Sequence, residues 1–224
     1  MSNDFVVRME HVKKTYNGYA KKINIFTDIS FQLKRGEFVA VVGPTGCGKT
    51  TLINLIAGLD RPESGNIFVD GVNITKLDDN KVVELRGRKI GVVFQIHNLL
   101  PNLSVYENVE LPLGIQGVNG EERKSRVNEA LETANVSSYA QRKITTISVG
   151  ERQMVAIARA IVTHPDIILM DEPTEYLDPF TTDMVLAFIK SSNILKGKTV
   201  LVTTHRSKVT KAAERVTALK KKLP

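Results

Sequence analysis

Residues Gly43-Pro44-Thr45-Gly46-Cys47-Gly48-Lys49-Thr50 form a complete GxxxxGK[ST] stretch, whose residue types suit the binding of a polyphosphate. Glycines without a Cβ let consecutive backbone N–H groups close around phosphate oxygens. Lys49 adds a point charge for the β- and γ-phosphates, and Thr50 offers a hydroxyl to Mg²⁺. Asp171 and Glu172 follow a short apolar run, and adjacent carboxylates there can divide two tasks. Asp171 is expected to hold Mg²⁺, directly or through water, while Glu172 acts as the general base on an attacking water. Gln95 can reach the ion or the water through its amide. His205 can hydrogen-bond a terminal phosphate oxygen and the base carboxylate. The combined chemistry is metal-assisted phosphoryl transfer to water.

These side chains need a scaffold that ends several strands at one place. Phe38-Val39-Ala40-Val41-Val42 reads as a buried strand before the glycine loop. Leu52, Ile53, Leu55, Ile56 and Leu59 recur at helical spacing after it, so the loop opens onto a helix N-terminus with its free N–H groups and positive dipole end. Further strands are expected over residues 89–94, 166–170 and 199–204, ending at Gln95, Asp171 and His205. This alternation predicts an α/β fold of P-loop NTPase (RecA-like) type, with a mostly parallel sheet and the ligand at the C-terminal strand ends. Short β segments over 5–9, 24–33 and 66–70 suggest an antiparallel layer at the N-terminus. Residues from about 96 to 163 read as an inserted α-helical subdomain. Within it Ser104 and Glu107 form a capping box, and Val127, Ala130, Leu131 and Ala134 trace one helix face. A helix is expected from Asp178-Pro179 to about residue 195.

The 224 residues are read as one nucleotide-binding domain over 1–224. Hydrophobic residues at 42% and charged residues at 25% are globular values, which argue against a linker or a disordered chain. The one cysteine, Cys47, excludes an intramolecular disulfide, and the N-terminus lacks a signal-type apolar segment, so a cytoplasmic setting is expected. No apolar run approaches the ~20 residues that cross a bilayer, so no direct membrane insertion is expected. The net charge of +7 is dispersed, which favours a solvated basic surface and no nucleic-acid partner. Lys220-Lys221-Lys222 reads as a basic tail. Cys47, beside Lys49 at a helix N-terminus, is expected to be a reactive thiol whose alkylation blocks nucleotide binding.

Taken in order, Tyr16, the phosphate loop, Gln95, Ile147-Ser148-Val149-Gly150-Glu151, Asp171-Glu172, Leu177-Asp178 and His205 resemble ABC-transporter ATP-binding subunits across residues 5–219. Gly58-Leu59-Asp60-Arg61-Pro62, Ile90-Gly91-Val92-Val93-Phe94-Gln95 and Glu107-Asn108-Val109-Glu110-Leu111-Pro112 look most like the lipoprotein-releasing, macrolide-export and cell-division ATPase group. The resemblance implies ATP and Mg²⁺ as ligands, with Tyr16 stacking on adenine and Gly43 to Thr50, Thr51 and Gln95 contacting ATP. It also implies that Ser148, Val149, Gly150 and Glu151 contact the ATP of a neighbouring subunit in a head-to-tail dimer. The signature departs from the family's usual Leu-Ser-Gly-Gly-Gln or Leu-Ser-Gly-Gly-Glu pattern at Ile147 and Val149. A β-branched Val149 resists φ > 0 and adds bulk near phosphate, so weakened closure is expected. Ser148 and Glu151 also satisfy a capping box, a reading compatible with the first. Glu175-Tyr176 stands where small residues are usual, and Arg206 where an acid is common.

The expected function is ATP hydrolysis by a subunit that dimerises around ATP and drives a separate integral membrane permease, peripheral on the inner face of the cell membrane. The permease is expected to dock near residues 96–101. An ATP-dependent homodimer is expected, with a heterodimer as the alternative. A second reading is a nucleotide-gated regulatory or cell-division ATPase that signals without transport. A DNA-repair or chromosome-organising ATPase would need a longer coiled-coil insertion than the interval from Gln95 to Ser148 allows.

Overall fold

The computed structural model describes residues 4–18, 22–191 and 197–220. Its first strands, β1 (Phe5–Asn17) and β2 (Lys22–Lys34), form a long antiparallel pair. Both extend beyond the expected 5–9 and 24–33. The outer half of β1, Lys13-Lys14-Thr15-Tyr16-Asn17, has no clean apolar alternation, yet its backbone continues the ladder through Lys14↔Phe26 and Tyr16↔Ile23. Ladder hydrogen bonds hold it, which hydrophobic patterning does not report. After β3 (Phe38–Val42) and α1 (Lys49–Ile56), β4 (Ser64–Val69) and β5 (Val72–Asn73) complete a four-stranded sheet ordered β2-β1-β4-β5.

Next come α2 (Asp79–Lys89), β6 (Ile90–Val93), α3 (Val105–Ile115), α4 (Gly120–Thr133), α5 (Val149–Ile161) and β7 (Ile167–Asp171). The chain then forms α6 (Pro179–Ser191), β8 (Thr199–Thr204), α7 (Ser207–Thr210) and β9 (Arg215–Ala218). The second sheet is ordered β6-β7-β8-β3-β9 with every pairing parallel. Its middle strands are buried on both faces, hence the near-continuous apolar runs of β3, β7 and β8. The expected continuation of α6 to 195 and the tail beyond Lys220 lie outside the described residues.

Period-two alternation divides the core. Val39, Val41, Ile167, Leu169 and Leu201 face α1 and the antiparallel sheet, while Ile168, Met170, Val200 and Val202 face the helices on the other side. Helix α1 therefore lies between the two sheets. Eight residues are too few for a stable isolated helix. However, Leu52, Ile53, Leu55 and Ile56 are all fully buried, at about 1.5–3 kcal/mol each. Burial thus outweighs propensity in fixing α1 and the loop before it. On the helical side, α3 starts at the Ser104–Glu107 capping box, and Val127, Ala130, Leu131 and Ala134 are buried as their spacing predicts.

Candidate active site

Parallel sheet order sets the lateral order of the polar residues. Strands β6, β7, β8 and β3 are consecutive neighbours, so Gln95, Asp171-Glu172, His205 and the phosphate loop emerge side by side at one sheet edge. Ile25, Thr45, Gly46, Gly48 to Thr51, Gln95, Glu172, Glu175, Tyr176 and His205 line one cavity of 540 Å³. The loop's tight return depends on Gly48, at φ 102°, where an added Cβ would lie 2.6 Å from Ile25 Cγ2.

Lys49 Nζ donates to the Gly43 carbonyl at 2.7 Å and pairs with Glu172 Oε1 at 3.2 Å. Both charged side chains are about nine-tenths buried, so mutual pairing and the loop carbonyls offset much of their desolvation. Thr50 Oγ1 donates to Asp171 Oδ2 at 2.7 Å, and Thr203 Oγ1 donates to Asp171 Oδ1 at 2.6 Å. The Thr50 hydroxyl and the Gln95 amide line the cavity and the Asp171 carboxylate lies buried directly behind Thr50, an oxygen donor set suited to Mg²⁺.

Glu172 has φ 43°, a left-handed conformation that costs a non-glycine residue about 1–2 kcal/mol. The residue is held there by its backbone N–H, which donates to Thr203 O and to Thr203 Oγ1, both at 3.1 Å. His205 Nδ1 hydrogen-bonds Glu172 Oε2 at 3.2 Å, the imidazole–carboxylate contact expected from sequence. The result is a strained, buried carboxylate between an ammonium and an imidazole, facing a polar cavity.

Tyr16 stands at the margin. Its hydroxyl donates to Asp60 Oδ2 at 2.6 Å and also meets the Thr51 side chain, which links it to α1. Lys14 Nζ pairs with Asp60 Oδ1 at 2.6 Å and lies 4.7 Å from the Tyr16 ring centroid, a cation–π distance. Burial and the Asp60 hydrogen bond raise the Tyr16 phenol above its ordinary pKa. Burial would raise the Asp60 carboxyl, but hydrogen bonds from Lys14, Tyr16 and the Arg61 backbone outweigh it and hold the group below its usual range.

Two expectations need correction. Cys47 is 4% exposed and packs into the core, so it does not present a ready thiol to reagents. Val149 is not among the described residues at positive φ; it opens α5 in an ordinary helical position, and only its bulk bears on closure. Val149 is 45% exposed, and Ser148 and Glu151 cap α5 reciprocally at 3.2 and 2.6 Å. The Tyr139 hydroxyl, then the Ser148 backbone, keep the Glu151 carboxyl below its ordinary pKa. Gly150 is close-packed within the chain: an added Cβ would lie 2.7 Å from Thr181 Cγ2.

Residues Ser148 to Glu151 do not line the phosphate cavity of their own chain. Conversely, the cavity includes Ile25, Glu175 and Tyr176, which the sequence did not place there; Tyr176 Oη lies 3.5 Å from Gln95 Nε2. Thr203, the support of both Asp171 and Glu172, was also missed. Its signal was a hydroxyl at an inward position of a buried strand, two residues before His205.

A sequence model of the family described as "ABC transporter" matches residues 26–175. The chain is 40% identical over 219 residues to the uncharacterized ABC transporter ATP-binding protein MJ0796 of Methanocaldococcus jannaschii, covering 96% of this chain and 93% of that protein. It is 37% identical to the lipoprotein-releasing system ATP-binding protein LolD of Hyphomonas neptunium, covering 96% and 94%. Two structures of the MJ0796 cassette, one described as dimeric and one as a dimeric post-hydrolysis state bound to ADP and Pi, superpose with a TM-score of 0.89 at 40% identity, covering 96% of this chain and 94% of theirs.

Proposed function

The chain belongs to the ABC transporter family, and on that premise we propose that it is an ATP-hydrolysing subunit that dimerises around ATP and drives a separate membrane permease. One observation carries the reading: the Glu172 carboxylate sits between Lys49 and His205 in the cavity lined by the glycine loop. Lys49 and the loop amides bind and orient the polyphosphate. Thr50, Gln95 and Asp171 are the residues that would hold Mg²⁺, and the ion would supply charge neutralisation to the polyphosphate. Glu172 accepts the proton of the attacking water. His205 bridges this base and the terminal phosphate. Tyr16 and Thr51 meet the base and sugar end.

The reading extends to a second copy of the chain. Ser148, Val149, Gly150 and Glu151 of one subunit face the phosphates held by the other, because the capped start of α5 offers free N–H groups and a positive dipole end. The dimeric MJ0796 cassette supports that arrangement. A homodimer fits a chain that carries both halves, and a heterodimer is the alternative outcome.

No helix among the described residues is long and apolar enough to cross a membrane. We place the chain on the inner face of the cell membrane through its permease. The docking region is the surface around residues 96–101, together with an 810 Å³ groove bordered by Leu59, Val83, Leu111 and Ile115. Ile96, Leu100 and Ile115 are exposed at 74, 43 and 75%, apolar side chains that a docked partner would cover. In this scheme the chain is one nucleotide-binding domain whose 96–163 insertion transmits closure.

Gel filtration and phosphate release on Glu172→Gln test the reading. ATP-dependent dimers with hydrolysis lost are expected. Normal hydrolysis would overturn the role of Glu172, and a monomer with ATP bound would point to a heterodimer or a partner-dependent dimer.

A further inference from the structure

Two departures from the family pattern, Glu175 and Arg206, meet in space. Arg206 reaches back over the loop after β7 and donates to the carbonyls of Glu175 at 2.9 Å and Leu177 at 3.4 Å, and to Thr182 Oγ1 at 3.1 Å. A planar guanidinium with several donors can fix a loop through its carbonyls in a way an acidic residue cannot. The clamp turns the Glu175 side chain into the phosphate cavity, where Oε2 lies 3.2 Å from His205 Nδ1.

That nitrogen already has an aligned partner, Glu172 Oε2, at the same 3.2 Å. One ring nitrogen carries at most one proton, so two carboxylate oxygens compete for it. Glu172 has the aligned bond, and the buried Glu175 Oε2 keeps only the ion-pair contact to the same nitrogen, with no aligned hydrogen bond. A buried carboxylate oxygen without an aligned donor is costly, and folds seldom retain one without cause. Here the donor it lacks is the His205 nitrogen already 3.2 Å away.

We infer that Glu175 is a positioning residue for hydrolysis: it takes over the His205 Nδ1–H when Glu172 turns to the attacking water. The inference rests on the base role proposed for Glu172. Without Glu175, releasing Glu172 would leave the imidazole Nδ1–H with no carboxylate, and the ring would lose its orientation when the terminal phosphate needs it. With Glu175, one hydrogen bond replaces another and the ring stays in place. The binding of ATP is not involved, so the effect belongs to the turnover step.

Steady-state ATPase assays on the full chain provide the first test. Glu175→Ala should lower kcat about tenfold with KM for ATP within about twofold, and Glu175→Gln, whose amide oxygen can still accept, should regain at least about half of the wild-type kcat. An unchanged kcat in Glu175→Ala, equal losses in both variants, or a KM rising in step with the loss would overturn it. A second measurement needs no turnover: histidine ¹⁵N–¹H spectra of the nucleotide-free chain. In Glu172→Ala the Nδ1–H of His205 should remain protected from water exchange, and adding Glu175→Ala should expose it. Exposure in the single variant already would sink the handover. If Glu172→Gln hydrolyses ATP normally while the spectra behave as stated, the base assignment fails and the Glu175 contact stands.

Discussion

The phosphate cavity and the start of α5 both offer backbone N–H groups at a helix N-terminus, yet they are built differently. Around the cavity each charged group is tied to another element: Lys49 to Glu172, Asp171 to Thr50 and Thr203, His205 to Glu172. At α5 the polar groups pair within a short stretch of chain, in the Ser148–Glu151 box and through the Tyr139 hydroxyl on Glu151, and Val149 is half-exposed. The first region is held by the whole fold, because its residues come from four neighbouring parallel strands. The second is a local helix start on the surface, complete as a structure and outside the phosphate cavity of its own chain. A site divided in this way is rigid where it binds and depends on encounter where it closes.

The largest expected effect separates turnover from binding. Glu172→Gln should reduce phosphate release about 10²–10⁴-fold while ATP affinity stays near that of the wild type, measured by a coupled assay and by titration calorimetry. Gln also spares the fold, since Lys49 keeps the Gly43 carbonyl. The next change attacks the scaffolded region directly. Gly48→Ala must adopt φ 102° and push against Ile25 and Phe26, so it should destabilise the chain by about 1–3 kcal/mol and abolish ATP binding, seen in thermal melts with and without Mg·ATP. A Tm equal to that of the wild type would show the loop to be less tightly determined than its contacts imply.

The surface region should respond only across the dimer. Val149→Gly removes exposed bulk at the first helical position; it should leave the monomer within about 1 kcal/mol of wild-type stability and tighten the ATP-bound dimer in the Glu172→Gln background. Equal dimer affinity on gel filtration would remove Val149 as a restraint on closure. The smallest effect concerns acid. The Asp60 carboxyl is held below its ordinary value in the fold, so its stabilising tie to Lys14 and Tyr16 is present above the unfolded value of about 3.9 and is lost as pH falls through the lower folded value. Asp60→Asn should flatten that arm of a Tm-against-pH curve, and Tyr16→Ala should raise KM for ATP with kcat retained.

Legibility in the sequence followed the range of the interaction. The glycine loop, both capping boxes and the buried face of α4 are local patterns, and each appears where spacing places it. Strand ends carried Asp171 and His205 to one edge because parallel sheets repeat a single geometry. Glu175 and Arg206 were visible only as unusual residues, since their meeting needs the loop after β7 to fold back on the second residue after β8. Similarly, the outer half of the first hairpin is held by backbone pairing and by the long-range ties of Lys14 and Tyr16 to Asp60, which hydrophobic alternation along the strand does not report.

Burial of the one cysteine has a practical outcome. Cys47 belongs to the glycine loop but its side chain is buried in the core, so the folded chain is close to a blank background for thiol labelling. A dye or spin label could be introduced at exposed Ile96 or Phe180 without first removing a native cysteine. The same thiol would then act as a clock: its slow reaction with a reagent reports how often the phosphate-binding core opens, and bound nucleotide should slow it.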